Sequence, residues 1–293
     1  MSKTDRHDID DNEIRVISKI ESGDKPRGAN WRLLLLAAAM LCLAAVAVTV
    51  YLMTGGRENE ELPVETSEPS ELARTEITQA TETTAAATKP HCEITDTVAG
   101  GHRLLLLTPR QATPSLELGA KALNDSSAAL VVQAADIRRD NGNIVGAYVL
   151  QGKLLSKGQA KSGFCAIING KMTIGVADST PLLEQALETD GYFFRQYPLV
   201  VGGQVVENKP KGKSLRKALA EIGGTPTVVL SRDRMTFGDF SRTLVELGAT
   251  NAIYLVGSES YGCATDSDGH KIDFGTRPDP SSLPINTNYL IWR

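Results

Sequence analysis

The chain has 293 residues, 41% hydrophobic and 23% charged, with a formal net charge of -4. That length holds one good-sized domain plus accessory segments. The acid-leaning balance excludes a phosphate-backbone partner on a large scale, because no basic patch is strong enough to release counterions from nucleic acid.

Taken in order, the sequence reads as three chains of different composition joined end to end. Residues 1–32 mix acidic and basic side chains with little apolar periodicity, apart from EIRVISKI (Glu13 to Ile20), and read as a solvated tail. Leu33 to Met53 (LLLLAAAMLCLAAVAVTVYLM) holds 21 residues without a charge. At about 1.5 Å per residue that run matches the ~30 Å hydrocarbon core of a bilayer, with Trp31 and Tyr51 near its ends. A cleaved signal has a shorter apolar run behind a short basic head, so this stretch is expected to be a retained membrane anchor. Lys19, Lys25, Arg27 and Arg32 precede it, whereas Arg57 and the acidic ENEE follow. The charge asymmetry places the N-terminus in the cytoplasm and everything after Gly55 outside. Residues 54–90, rich in Glu, Thr, Ser, Ala and Pro, cannot bury enough apolar surface to offset ordering and read as a stalk.

Residues 91–293 are expected to fold. Apolar, β-branched runs predict strands at ALVVQAAD (Ala129 to Asp136), IVGAYVL (Ile144 to Leu150), FCAII (Phe164 to Ile168), MTIGVA (Met172 to Ala177), TVVL (Thr227 to Leu230), AIYLV (Ala252 to Val256) and NYLIW (Asn288 to Trp292). Two helices are predicted: STPLLEQALET, capped by Ser179 or Thr180 with Pro181 opening its first turn, and TFGDFSRTLVELG, ended by Gly248. Asn141-Gly142, Asn169-Gly170 and Asp268-Gly269 predict tight turns, and strands joined by tight turns are antiparallel. The expected class is α+β: a mixed, largely antiparallel sheet with two main helices.

Cys92, Cys165 and Cys263 lie in this domain, in strand or loop settings without a CxxC or Cys/His spacing, so no zinc site or other metal is expected, and no cofactor. DSDGHKIDFG (Asp266 to Gly275) has its Gly at the fourth position, where a calcium loop needs it at the sixth, so a plain hairpin accounts for it better. Asn124-Asp125-Ser126 is a single glycosylation acceptor pattern. In KSLRKALAEIGGTPTVVL (Lys213 to Leu230), Arg216 sits among Lys209, Lys211, Lys213 and Lys217. Such a cluster either recognises phosphate or carboxylate through the guanidinium fork, or is a solvated basic loop.

The order of pieces from about Ala128 to Gly262 resembles the phosphodiester glycosidase family. Where the family has a strand entering Asn-Gly-Gly-Phe-Phe, this chain has QAADIRRDNGNIVGAYVLQGK (Gln133 to Lys153). RQYPLVVGGQ (Arg195 to Gln204) matches its Pro-Leu-Gly turn segment, RKALAEI from Arg216 looks like its Arg-Thr-Ala-Ile-Gly, and VELGATNAIYLVGSES follows the course of its Leu-Gly, apolar strand and Asp-Gly-Gly-Gly-Ser. On that resemblance Arg216, Gly257 and Ser260 carry over. Gln133 stands for the family's Asn, Ala134 and Ala135 for two glycines, and Val256 for the strand-end Asp.

Three readings follow. One is a hydrolase of sugar-1-phosphodiesters with a rearranged site, in which Asp136 and Glu259 are the catalytic carboxylates and Arg216, Gln133, Gly257 and Ser260 hold substrate. Another is a non-catalytic module that takes a glycan or sugar-phosphate ligand, and the third is a structural interaction domain. The expected location is the inner membrane with the folded part periplasmic, a Golgi-type placement being the alternative.

Overall fold

A computed structural model describes residues 89–158 and 160–293. The expected tail, the Leu33–Met53 anchor and all but the end of the stalk lie outside the described residues. Among those described, no helix is long and apolar enough to cross a membrane.

The described chain opens on a hairpin, β1 (His91–Ala99) and β2 (His102–Arg110), turned by Gly100 and Gly101 at φ 56° and 74°. β3 (Pro114–Leu118), the single-turn helix α1 (Ala120–Leu123) and β4 (Leu130–Gln133) come next, then β5 (Ala147–Leu150), β6 (Lys153–Lys157), β7 (Gly163–Ile168) and β8 (Lys171–Val176). Helix α2 (Leu182–Glu188) leads to β9 (Tyr192–Gln196), β10 (Pro198–Val201) and β11 (Gln204–Val205). The hairpin β12 (Lys217–Ile222) and β13 (Thr225–Ser231) precedes helix α3 (Phe237–Glu246) and β14 (Ala249–Leu255). β15 (Gly262–Thr265), β16 (Lys271–Phe274), a 3-10 turn at Pro280–Ser282 and β17 (Asn288–Trp292) close the fold.

Every strand pairing among the described residues is antiparallel. The α+β expectation therefore holds, but three sheets form where one was expected. One runs β1-β2-β13-β12-β14-β10-β11, a second β16-β15-β4-β17-β3 and a third β6-β5-β9-β7-β8. The turns Asn169-Gly170 and Asp268-Gly269 do join β7 to β8 and β15 to β16. Asn141-Gly142 does not join β4 to β5; it closes a small loop at the isolated bridge Ile137↔Ile144, and the two strands belong to different sheets. The physical reason sits at the end of β4. The buried amide of Asn288 accepts from the Ala135 N–H at 2.7 Å and donates to the Ala135 carbonyl at 3.1 Å, so the backbone is satisfied without a further strand.

The period of two along each strand divides the apolar residues between layers. Leu105, Leu107, Val132, Tyr148, Cys165, Phe194, Leu219, Leu255 and Trp292 fill one core shared by all three sheets. The opposite face of the large sheet, with Tyr197, Ala218 and Tyr254, packs on Phe237, Phe240 and Leu244 of α3. Phe164 and Phe193 turn outward from the third sheet to meet Ala186 of α2. Cys92, Cys165 and Cys263 are free, buried thiols.

Helix α3 starts as its sequence predicts: the Thr236 hydroxyl accepts from the Asp239 N–H at 3.0 Å and donates to the Asp239 carboxylate at 2.7 Å. Gly248 then ends the segment at φ 83°. At α2, Pro181 itself occupies the cap position, and the Thr180 hydroxyl accepts from the Leu182 N–H at 3.4 Å. Replacing Thr236 by Ala removes one cap and is expected to cost about 1 kcal/mol, lowering Tm by roughly 2–4 °C in calorimetry.

Candidate functional site

β12 pairs with β14 in the register Lys217↔Leu255, so Arg216 just before the one strand stands beside Val256 just after the other. The Ser258 N–H donates to the Leu215 carbonyl at 2.9 Å and prolongs that pairing into the turn. Lys209, Lys211 and Lys213 are exposed, as a solvated loop requires, but Arg216 and Lys217 are each only 3% exposed. The Arg216 Nε donates to the Met235 carbonyl at 3.0 Å and one terminal amino group to the Gly212 carbonyl at 2.6 Å. Its guanidinium lies 4.2 Å from the Phe237 ring centre and 5.9 Å from that of Tyr254, which offsets part of the burial through cation–π attraction.

Arg216 and Gly257 converge on the Tyr254 hydroxyl, which also feels the charge of Asp136. Burial pushes the hydroxyl above the ordinary phenol range and the Asp136 charge adds to that, while Arg216 and a hydrogen bond from the Gly257 amide pull the other way. Gly257 is constrained by the same hydroxyl: a β-carbon there would fall 2.1 Å from Tyr254 Oη and 2.9 Å from the Leu215 carbonyl. Asp136 is ion-paired with Lys161, whose side chain is 2% exposed against 32% for the carboxylate. Lys161 Nζ also reaches Gln196 Oε1 at 3.3 Å and lies 4.3 Å from the Tyr197 ring centre. A Tyr254 N–H to Tyr197 carbonyl bond of 2.8 Å ties this pair to β14.

Lys217 and Ser260 belong to the other face. Alternation along β12 sends Arg216 and Ala218 toward α3, and Lys217 and Leu219 toward the shared core. There Lys217 Nζ donates to Ser260 Oγ at 2.6 Å and to the Ser260 carbonyl, and lies 5.5 Å from the Phe274 ring centre. Ser260 Oγ in turn donates to the Val256 carbonyl. Burial draws the Lys217 ammonium down from 10.5 to about 8. Glu259 stands exposed on the turn; its carbonyl accepts from the Thr276 N–H at 2.9 Å, and its carboxylate makes no hydrogen bond or ion pair among the described residues. Gln133 ends β4 half-buried opposite Tyr289.

The structure thus brings Arg216 and Gly257 to the Tyr254 hydroxyl, pairs Asp136 with Lys161 nearby, sets Ser260 on Lys217 across the sheet, and leaves Glu259 in solvent. Tyr254, Lys161, Gln196 and Lys217 were not singled out as site residues by sequence. Two carried a signal: Tyr254 is the one polar-tipped side chain in AIYLV, and Lys217 stands where the resembling family has threonine. Lys161, in a polar segment ahead of FCAII, carried none. Two surface hollows, of about 540 Å³ beside Asp96, Val98, Arg103 and Arg232 and about 340 Å³ beside Thr113, Ile167, Tyr192 and Arg293, include none of these groups.

An antiparallel α+β domain with a buried guanidinium on a phenol hydroxyl at strand ends is the class that this fold and site define. No family model matches the sequence, and no curated protein does. Among solved structures, the chain is similar to the catalytic domain of zebrafish N-acetylglucosamine-1-phosphodiester alpha-N-acetylglucosaminidase auto-inhibited by its pro-peptide, at 11% identity and TM-score 0.48 over 71% of this chain and 84% of that one. It is also similar to a hypothetical protein from Synechocystis, at 14% identity and TM-score 0.50, covering 69% of this chain and 61% of that one. This second likeness is one of fold, and the chain spans less than two thirds of the Synechocystis protein.

Two outcomes follow from this geometry. Gly257→Ala should destabilise the domain by about 1–3 kcal/mol through overpacking, and adding Tyr254→Phe should restore part of the loss, read as coupling in urea unfolding of the two single variants and the double. For Lys217, the unfolded chain keeps between about pH 8 and 10.5 a proton that the folded chain has released. Its contribution to stability is therefore present above that window and lost as pH falls through about 8. The stability difference between wild type and Lys217→Met should rise across the window in paired urea titrations.

Proposed function

We propose that residues 91–293 hydrolyse a sugar-1-phosphodiester of the cell envelope at the Asp136–Arg216–Tyr254 cluster. The observation that carries this reading is a buried guanidinium hydrogen-bonded to the Tyr254 hydroxyl, with the charge of the partly exposed Asp136 carboxylate felt at that same phenol. The order of motifs that resembles the phosphodiester glycosidase family supports it. Val256 removes a carboxylate from the strand end, yet the chemistry has a route without it. When the bond between the sugar carbon and the phosphate oxygen breaks, the leaving group is a phosphate monoester, which needs its charge stabilised more than it needs a proton. Arg216, through its charge and through the Tyr254 hydroxyl, stabilises that charge, and Asp136, ion-paired with Lys161, takes the proton of the attacking water. The Leu33–Met53 segment would hold this domain at the periplasmic face of the inner membrane, with the stalk giving reach.

A second reading, a non-catalytic sugar-phosphate module at the same residues, is favoured by Val256 and by the Asp136–Lys161 pair. The full-length chain in detergent, offered a panel of sugar-1-phosphodiesters, separates the two. Turnover that falls 10²-fold or more in Asp136→Asn, with an unchanged circular dichroism spectrum, supports hydrolysis. Glu259→Gln should stay near wild type. Equal turnover in wild type and Asp136→Asn sinks the assignment. A thermal shift without turnover, about 2.7 kcal/mol at 100 times Kd, selects the binding module.

A further inference from the structure

The Lys217–Ser260 cluster is separated from the Asp136–Arg216 cluster by the thickness of the large sheet, and the proposed hydrolysis makes no use of it. Its lysine is 3% exposed and has no carboxylate within ion-pair distance among the described residues. Burying an ammonium without a counter-ion is costly, and a clasp for the 257–260 turn needs only a neutral donor. What a lysine adds over such a donor is a site that takes and gives a proton. Nζ lies 2.6 Å from Ser260 Oγ, within the reach a general base requires, and Ser260 is half-buried, not sealed. The turn that carries it, Gly257-Ser258-Glu259-Ser260, follows directly on the rigid strand β14.

We propose that Ser260 is a nucleophile and Lys217 its general base, forming an ester-cleaving site on the sheet face opposite Arg216. The substrate class is an uncharged carboxylic ester. Lys217 is the only cation in contact with the serine among the described residues, and Phe274, an apolar ring, is its other neighbour, so nothing there clamps a phosphate or a carboxylate. In the reaction, Ser260 Oγ leaves its bond to the Val256 carbonyl and attacks the ester carbon while its proton passes to neutral Lys217 Nζ. The ester C–O bond breaks, the departing alkoxide takes that proton from Nζ, and an acyl-serine remains. Water then attacks the acyl carbon and gives a proton to Nζ, Nζ returns one to Oγ, and the carboxylic acid is released. Serine–lysine pairs of this kind are one of the recurring forms of the activated nucleophile.

The probe is a fluorophosphonate applied to the full-length chain in detergent. Formation of the Oγ–P bond expels fluoride, the serine proton leaves through Nζ to solvent, and the adduct is read by intact mass and peptide mapping. One adduct per chain on Ser260 is expected, with Ser258→Ala, an exposed serine on the same turn, labelled as in wild type. Lys217→Arg, which keeps the charge but cannot accept the proton at neutral pH, should be labelled at least 10²-fold more slowly, as should Lys217→Met, each checked for folding by circular dichroism. The wild-type labelling rate should rise with pH through about 8. Among the described residues the charged groups on the elements packed against the pair include Arg216, on the other face, the exposed Glu259, and Lys271 and Asp273 of β16, and burial alone accounts for the lysine's value. Hydrolysis of p-nitrophenyl acetate should follow the same profile. No adduct on the folded wild type, an adduct elsewhere, labelling of Lys217→Arg at the wild-type rate, or a flat pH profile would each overturn the proposal and leave Lys217 as a clasp for the turn. If both lysine variants fail to fold, the wild-type pH profile decides.

Discussion

The pairing of β12 with β14 in the register Lys217↔Leu255 is the constraint on which the chemistry of this molecule depends. A sheet has two faces, and neighbouring residues on a strand take opposite ones. Two adjacent basic residues, Arg216 and Lys217, are thereby sent into different environments, one against the aromatic rings above α3 and the other against a serine and Phe274 in the shared core. A slip of one residue would exchange them, placing the lysine on Phe237 and the arginine under the turn. The register is protected on both sides, since β13 pairs β12 from Lys217↔Leu230 to Ile222↔Thr225 and the turn after β14 is held by Ser258 on Leu215.

That placement explains why both basic groups are buried yet handled differently. Arg216 is compensated by backbone carbonyls and ring faces, which suits a delocalised, weakly hydrated cation. Lys217 has a compact charge, strongly hydrated in water, and meets the cost of burial by holding its proton less tightly. One dipeptide therefore supplies a fixed charge on one face of the sheet and a titratable amine on the other.

Much of the fold is legible in the sequence, and the limits have physical causes. All seven apolar runs contain strands, and both periodic helices form, because core burial and caps are local in the chain. Some of the strands that sequence reading passed over have a visible reason. β1, β6 and β16 lie at sheet edges, and polar residues interrupt their apolar ones, so they carry no long apolar run. The turns linking β1 to β2, β10 to β11 and β12 to β13 are Gly-Gly pairs, a hairpin signal that was there to be used. The partition into three sheets was not legible, since it turns on Asn288 reaching Ala135 across 153 residues of chain. For the site, Arg216 and Gly257 could be found from motif order, whereas the Asp136–Lys161 pair joins residues 25 apart that share no pattern.

The hairpin that opens the described chain has a mechanical consequence. β1 is an edge strand whose one partner is β2, and its first residue, His91, pairs with Arg110 at the far end of the hairpin. Tension applied ahead of His91 meets this strand before any other part of the domain and loads its nine cross-strand pairs from one end. The second residue to come free is Cys92, whose buried thiol is held up to about 12 by its apolar surroundings. Once peeled into water it regains ordinary acidity, so opening of this hairpin from the His91 end would be reported by the reactivity of that thiol.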